Sequence, residues 1–387
     1  MKLLHTSDWH VGKAIRGRSR ADEHRSVLAE IASIATAHEV DAIVVAGDLF
    51  DSATPTAEAE AIVYRALLDL ARTDAHVLVI AGNHDNPRRL AAVAPLLQLG
   101  RVHLVAAPAR PADGGVRTLD IGGTPLRLAL LPFVSHRGIE RAEHVMGNAA
   151  FENSKAYADR MRALIGAVTE DFQDDGVNVV VAHAFLTGGT IGGGERLAHL
   201  IEAYQVSAQA MPATANYVAL GHLHRPQTVA GATVIRYCGS PLQMDFGEES
   251  QDKSVDVVTL EPGVRTKLES VPLTSGRQLV TVRGAMADLD ATHPPNDSWL
   301  KVVITGDAPV DAAARVRDLF GTDRVIRIEI ERQSRGASSA PRRQGRTPSE
   351  LFAEYCGEVG VTDHRVANRF AELLDADVDT SLSEAVS

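Results

Sequence analysis

The chain has 387 residues, 45% of them hydrophobic, which is ordinary composition for a globular protein with one large domain and a smaller one. Its formal charge of -11 counts against unaided nucleic-acid binding, which usually presents a basic face, although local charge can differ from net charge. The two cysteines, Cys238 and Cys356, lie outside any CxxC pair and exclude a disulfide framework.

Met1 to His10 carries a single Lys and no apolar core of signal-peptide length, and no apolar run reaches the roughly eighteen residues of a membrane span. A cytoplasmic protein without membrane attachment is expected. In chain order, apolar runs alternate with helical patterns: Leu3 to Thr6, then a helix over Ser26 to His38, Val40 to Ala46, a helix over Glu58 to Ala71, and Val77 to Ala81. Further strands are expected at Leu126 to Leu131, Val177 to Ala182, Tyr217 to Leu220 and Thr233 to Tyr237. A run such as Ile43-Val44-Val45-Ala46 lacks polar alternation, so both of its faces must be covered, as in a layered α/β sandwich flanked by helices.

Residues 1–272 form this large domain. A second, small α+β unit is expected over 277–333, read as strand, helix, strand, helix, strand, with strands at Leu279 to Val282, Trp299 to Thr305 and Val325 to Ile330. Residues 334–346 are rich in Gly, Ser, Ala and Pro, and Arg335 to Arg346 holds four Arg and no acid, so this stretch reads as a flexible basic linker. Over 347–375, Thr347-Pro348-Ser349-Glu350 has a capping-box pattern. Leu351, Phe352, Tyr355 and Val359 share one helical face, and a second helix carries Val366, Phe370, Leu373 and Leu374. Such stripes suit a partner helix or could fold back on the body; 376–387 is a tail.

The same punctuation recurs where strands end. Ala46-Gly47-Asp48, Ala81-Gly82-Asn83, Val181-Ala182-His183 and Leu220-Gly221-His222 each close an apolar run with a small residue and then a metal-type ligand, and Asp8 and His10 follow the first run. Ligands of open α/β sheets bind outside the carboxyl ends of strands, so Asp8, His10, Asp48, Asn83, His183, His222 and His224 should converge. Carboxylate, amide and imidazole without thiolate suit manganese, iron or zinc. So many donors exceed what one catalytic ion with an open position needs and fit two ions sharing a carboxylate, for which Asp48 is the best candidate. Each motif alone is weak: a His after a strand is usually structural, and Gly-Asp is usually a turn. Arg16, Arg18 and Arg20 form a basic cluster that reads either as a phosphate-contacting patch or as a solvated loop. Gly188 to Gly194 lacks the Lys-Ser/Thr ending of a P-loop and reads as a mobile loop near His183.

The order Asp8-Trp9-His10, Gly47-Asp48-Leu49-Phe50-Asp51, Gly82-Asn83-His84-Asp85, His183 and Gly221-His222-Leu223-His224 resembles the calcineurin-like metallophosphoesterase superfamily. Asp8-Trp9-His10-Val11-Gly12, Arg225-Pro226-Gln227, Tyr237-Cys238-Gly239-Ser240-Pro241 and Leu351-Phe352-Ala353-Glu354-Tyr355 narrow the resemblance to its bacterial DNA nucleases that work with a coiled-coil ATPase. Val11 stands where Leu is commoner. The resemblance implies one ion on Asp8, His10, Asp48 and His224, a second on Asp48, Asn83, His183 and His222, and His84 as the catalytic residue. Asp85 would orient the His84 ring or cap the next helix. It further implies Mn2+, with Mg2+ as a substitute, acting on DNA ends as a double-strand exonuclease and single-strand endonuclease in a nucleoid-associated complex. The small unit would guide DNA, the C-terminal helices would grip the ATPase, and the chain would form a homodimer within a heterotetramer. Two rivals share the motifs: a stand-alone phosphoesterase for small substrates, and a fold retained as a scaffold.

Overall fold

The computed structural model describes residues 1–135, 138–139, 157–195, 204–295 and 297–331, with scattered positions between 352 and 370. The expected linker at 334–346, the tail at 376–387 and most of the two helices at 347–375 lie outside the described residues; within the last, the Phe352 ring stacks on Phe370 at 3.9 Å.

Strands β1 (Lys2–Thr6), β2 (Ala42–Ala46), β3 (His76–Ile80), β4 (Val102–Val105), β5 (Val116–Ile121), β6 (Thr124–Leu131), β7 (Val177–His183), β8 (Tyr217–Gly221), β9 (Gln227–Val229), β10 (Val234–Tyr237), β11 (Ser254–Thr259) and β12 (Lys267–Pro272) build two six-stranded sheets. Their orders are β12-β11-β1-β2-β3-β4 and β9-β10-β8-β7-β6-β5. The central pairs β1/β2, β2/β3, β6/β7 and β7/β8 are parallel.

Period-2 alternation explains why the strands are apolar throughout. Ala42, Val44 and Ala46 face Val177, Val179 and Val181 in the core between the sheets. Ile43 and Val45 point the other way and pack with helices α1 (Ala21–Ala37), α2 (Ala57–Ala71) and α3 (Pro87–Leu99). Val180 and Ala182 do the same against α4 (Tyr157–Val168). The result is a helix, sheet, sheet, helix sandwich. Helix α1 begins at Ala21 rather than Ser26, because its first turn is set by Glu23 and the buried His24, which apolar periodicity does not register.

The small unit is a parallel sheet of β13 (Gln278–Gly284), β14 (Ser298–Thr305) and β15 (Val325–Glu331), with α5 (Ala312–Phe320) on one face. The first of its two expected helices is only the 3-10 turn Leu289–Ala291 among the described residues. Pro294 and Pro295 follow, and proline's missing N–H forbids a helix there. Leu279, Trp299 and Ile326 lie on the other face and pack with Ile15 and Phe246 of the large domain.

Leu128 is fully buried between the sheets, so Leu128→Ala should lower stability by about 2–5 kcal/mol, read as a reduced urea midpoint at unchanged slope.

Candidate metal centre

Because the central strands are parallel, their carboxyl ends lie along one edge of the sandwich, and each ends in a donor-bearing loop. The loop after β1 lies along the loop after β2: Asp8 N donates to Gly47 O, His10 N to Asp48 O and Val11 N to Leu49 O, each at 3.0 Å. Asp8, His10, Asp48 and His222 have φ of 52°, 46°, 52° and 104°, a left-handed region that non-glycine residues enter at a cost and that concentrates at functional sites. The glycines between strand and donor permit close approach. A Cβ on Gly82 would overlap the Asp48 carboxylate, and one on Gly221 would overlap the Ala46 carbonyl.

All seven expected donors are brought together and buried, none more than 5% exposed. His183 Nδ1 lies 2.8 Å from Ala46 O, which can only accept, so the ring donates there and Nε2 keeps its lone pair. That lone pair faces Asn83 Oδ1 at 2.8 Å and Asp48 Oδ2 at 3.5 Å. His222 Nδ1 reaches the same Asn83 oxygen at 2.9 Å. On the other side of Asp48, His10 Nε2 is 3.5 Å from Asp48 Oδ2 and 3.0 Å from His224 Nε2. His224 Nδ1 donates to Glu248 Oε1 at 3.0 Å, again turning Nε2 inward. Lone pairs aimed at lone pairs in a dry site are what a cation relieves, so the donors fit divalent ions on either side of Asp48. Donor atoms of Asp8, His10 and His224, of Asp8, Asp48 and His183, and of His10, Asp48 and His84 each lie within 4.8 Å of one another.

Burial and close charge partners set the electrostatics of the donors. Burial lowers the His10 pKa to about 4, which keeps its ring neutral and its lone pair available at neutral pH. Burial raises the Asp8 carboxyl to about 6, against the opposing pull of His224 and the Ser7 hydroxyl. Glu248 is also buried, but its hydrogen bond from His224 and the charge of Lys253 outweigh desolvation and hold it at about 2. His224 is raised despite burial, through the same Glu248 contact.

His84 sits at the rim of the donors. Its N donates to Asp48 Oδ1 at 2.8 Å, its Nδ1 to the Asp51 carbonyl at 2.8 Å, and its Nε2 lies 3.9 Å from Asp48 Oδ2. Asp85 takes neither expected role. Its carboxylate accepts from Gly82 N at 2.9 Å, Phe50 N at 3.0 Å and Leu49 N at 3.2 Å, clamping two ligand loops together. Asn86 caps α3 instead. Arg16 and Arg18 are exposed, whereas Arg20 is 1% exposed and committed to Glu23 and the Gln243 carbonyl, so it is withdrawn from any surface patch. The Gly188 to Gly194 loop lies against His224: Gly192 N and Gly193 N donate to Glu195, whose Oε1 also accepts from His224 N. Glu195, Glu248 and Lys253 escaped the sequence reading because no spacing rule ties them to His224. Asp51 stood inside a recognised motif without an assigned task.

A centre of this composition, at the carboxyl edge of a two-sheet sandwich, defines a metal-dependent phosphoesterase, and the chain belongs to the calcineurin-like phosphoesterase family, whose sequence profile matches residues 1–226. Within that family it belongs to the SbcD branch. It is 37% identical to the SbcD subunit of the nuclease SbcCD from Bacillus subtilis (strain 168) over 333 residues, covering 85% of this chain and 82% of that one. It is 29% identical to the SbcD subunit of the same nuclease from Escherichia coli (strain K12) over 380 residues, covering 92% and 91%. No helix among the described residues is long and apolar enough to cross a membrane.

Asp48→Ala removes the donor expected to be shared and should abolish uptake of both ions, measured by elemental analysis after desalting; two retained ions would refute the shared role. Between the ordinary Asp value of 3.8 and about 6, the folded Asp8 holds a proton that the unfolded chain has lost, so apo-protein stability falls as pH rises through that window. A cation on the carboxylate reverses that loss. The rise in Tm on adding excess Mn2+ should therefore be larger at about pH 7.5 than at about pH 5.

Proposed function

We propose that this chain is a two-metal DNA nuclease, a double-strand exonuclease and single-strand endonuclease that processes DNA ends for repair, recombination and replication together with an SbcC-like, SMC-like coiled-coil ATPase. The observation that carries the reading is the complete buried donor set around Asp48, in a chain that aligns over most of its length with proteins named as nuclease subunits. Mn2+ is the proposed metal, with Mg2+ as a substitute; a bound pair of ions acidifies a water and offsets phosphate charge.

Asp8, His10, Asp48 and His224 would hold one ion, and Asp48, Asn83, His183 and His222 the other. His84 has its Nδ1 fixed on the Asp51 carbonyl, so its Nε2 is the atom presented to the centre. A proton on Nε2 can pass to the leaving 3' or 5' oxygen as the phosphodiester bond breaks. Exposed Arg16 and Arg18 stand on a short ribbon at the crevice with the small unit, where Arg18 reaches the Thr322 carbonyl at 3.3 Å. Phosphate contacts there would suit a DNA path guided by the small unit as a capping domain. The two C-terminal helices at 347–375 are the proposed ATPase grip, in a homodimer within a heterotetramer located in the cytoplasm at the nucleoid.

The test is cleavage of end-labelled duplex DNA and of a small phosphodiester with Mn2+, by wild type and His84→Gln. The variant should keep its metal and bind DNA but lose cleavage by about 10²-fold or more. Wild-type turnover in the variant removes His84 from the mechanism; loss of one ion reassigns it as a ligand. Hydrolysis of the small ester with no action on DNA, with the ATPase present, overturns the substrate.

A further inference from the structure

Glu248 is fully buried on the 3-10 turn Phe246–Glu248, outside every motif that the sequence singled out. Its Oε1 accepts from His224 Nδ1 at 3.0 Å, and its Oε2 accepts from Met244 N at 3.0 Å and Lys253 Nζ at 2.7 Å. Lys253 Nζ also donates to the His224 carbonyl and to Ser240 Oγ, each at 3.0 Å. A buried carboxylate is tolerated when a cation and several donors meet it, and this one has no contact with solvent. Toward the donors it reaches the ring of His224.

The residues on either side of Glu248 face the opposite way. Gln243 Oε1 accepts from Leu279 N at 2.7 Å, and Glu249 Oε2 accepts from Thr281 N at 2.8 Å, both partners being on β13 of the small unit. Phe246 packs with Leu279 and Trp299. Behind them, Glu23 accepts from Trp299 Nε1 and Arg277 N, each at 2.9 Å, and is paired with the buried Arg20.

We infer that Glu248 is a positioning residue for His224, and that the 243–249 segment carrying it transmits the seating of the small unit to the metal centre. The inference rests on the two-ion reading of the site. A carboxylate on Nδ1 fixes the tautomer that exposes the Nε2 lone pair, holds the plane of the ring and raises its basicity toward a metal. The segment has little slack: within seven residues it makes both the contact with His224 and the contacts with the small unit. Displacing the small unit therefore moves Glu248, and with it the ligand, without altering Asn83, His183 or His222 on the other side of Asp48.

Mn2+ titration of the full chain, followed by electron paramagnetic resonance, tests this. Wild type should take up two ions and show the spectrum of a coupled pair at saturation. Glu248→Gln should weaken one ion by about 10–100-fold and leave the other unchanged, so at a concentration that fills both wild-type sites the spectrum is that of an isolated Mn2+. Glu248→Asp should recover part of the lost affinity. Glu249→Ala, an exposed change at the small unit, should weaken the same ion by a few-fold. Wild-type affinity for both ions in Glu248→Gln, or equal weakening of both, overturns the positioning role. An unaltered titration in Glu249→Ala overturns the transmission. A wild-type chain that binds no second ion would instead bring down the two-ion reading beneath the inference.

Discussion

Two sheets can share one metal centre only where their backbones nearly touch, and here that contact is the close approach of Ala46 and Gly47 to His183 and Gly221. The Ala46 carbonyl accepts from His183 Nδ1 at 2.8 Å across the gap between sheets. A Cβ on Gly47 would run into the same imidazole. From this contact the rest follows. The imidazole is pinned in the tautomer that faces Asp48, the loops after β1 and β2 run side by side, and Asp85 ties the loop after β3 to them. The apolar core between the sheets sets the separation that this edge then closes.

The centre is assembled at a local energetic cost. Four donors occupy left-handed backbone, and Asp8 and Asp48 are carboxylates buried next to one another. Stability elsewhere, chiefly in the three apolar layers, has to carry that. Such an arrangement is what a pre-organised cation site requires, because donors that are already placed do not need to be ordered when the ion arrives. The net charge of -11 is then less at odds with a nucleic-acid substrate than the total alone implies. Part of the acidity is directed inward to the candidate metal centre, as at Asp8 and Asp48, and part is neutralised internally, as at Glu248 with Lys253.

The small unit is joined to the large domain by buried polar contacts as much as by apolar ones. Arg20, Glu23, Trp299 and Gln243 form one hydrogen-bonded group beside the Ile15, Leu279 and Phe246 packing. Directional contacts of this kind set orientation more sharply than apolar area does, since the latter is indifferent to small rotations. Two arginines two residues apart have different fates for the same reason. Arg18 stays exposed while reaching the Thr322 carbonyl of the small unit, and Arg20 is buried behind the domain interface.

How far the sequence reaches is set by the range of each interaction. Apolar runs ending in a small residue and a donor are local patterns, and the rule that ligands lie at the carboxyl edge of parallel strands converts them into a site; Asp8, His10, Asp48, Asn83, His183, His222 and His224 could all be named before any fold was seen. The absence of polar alternation along Ile43-Val44-Val45-Ala46 likewise announced a strand covered on both faces. Pairing across the chain left no such trace. Glu248 meets His224, Glu195 braces the same residue, Asp85 clamps backbone rather than a ring, and Arg20 is consumed by an interface, all because chain segments far apart in sequence come together in space. The sequence by itself determined which residues could bind metal and in what class of fold, since those are properties of short segments. Only the tertiary structure decided which buried charges support them, since a charge is committed by its neighbours in three dimensions and not by its place in the chain.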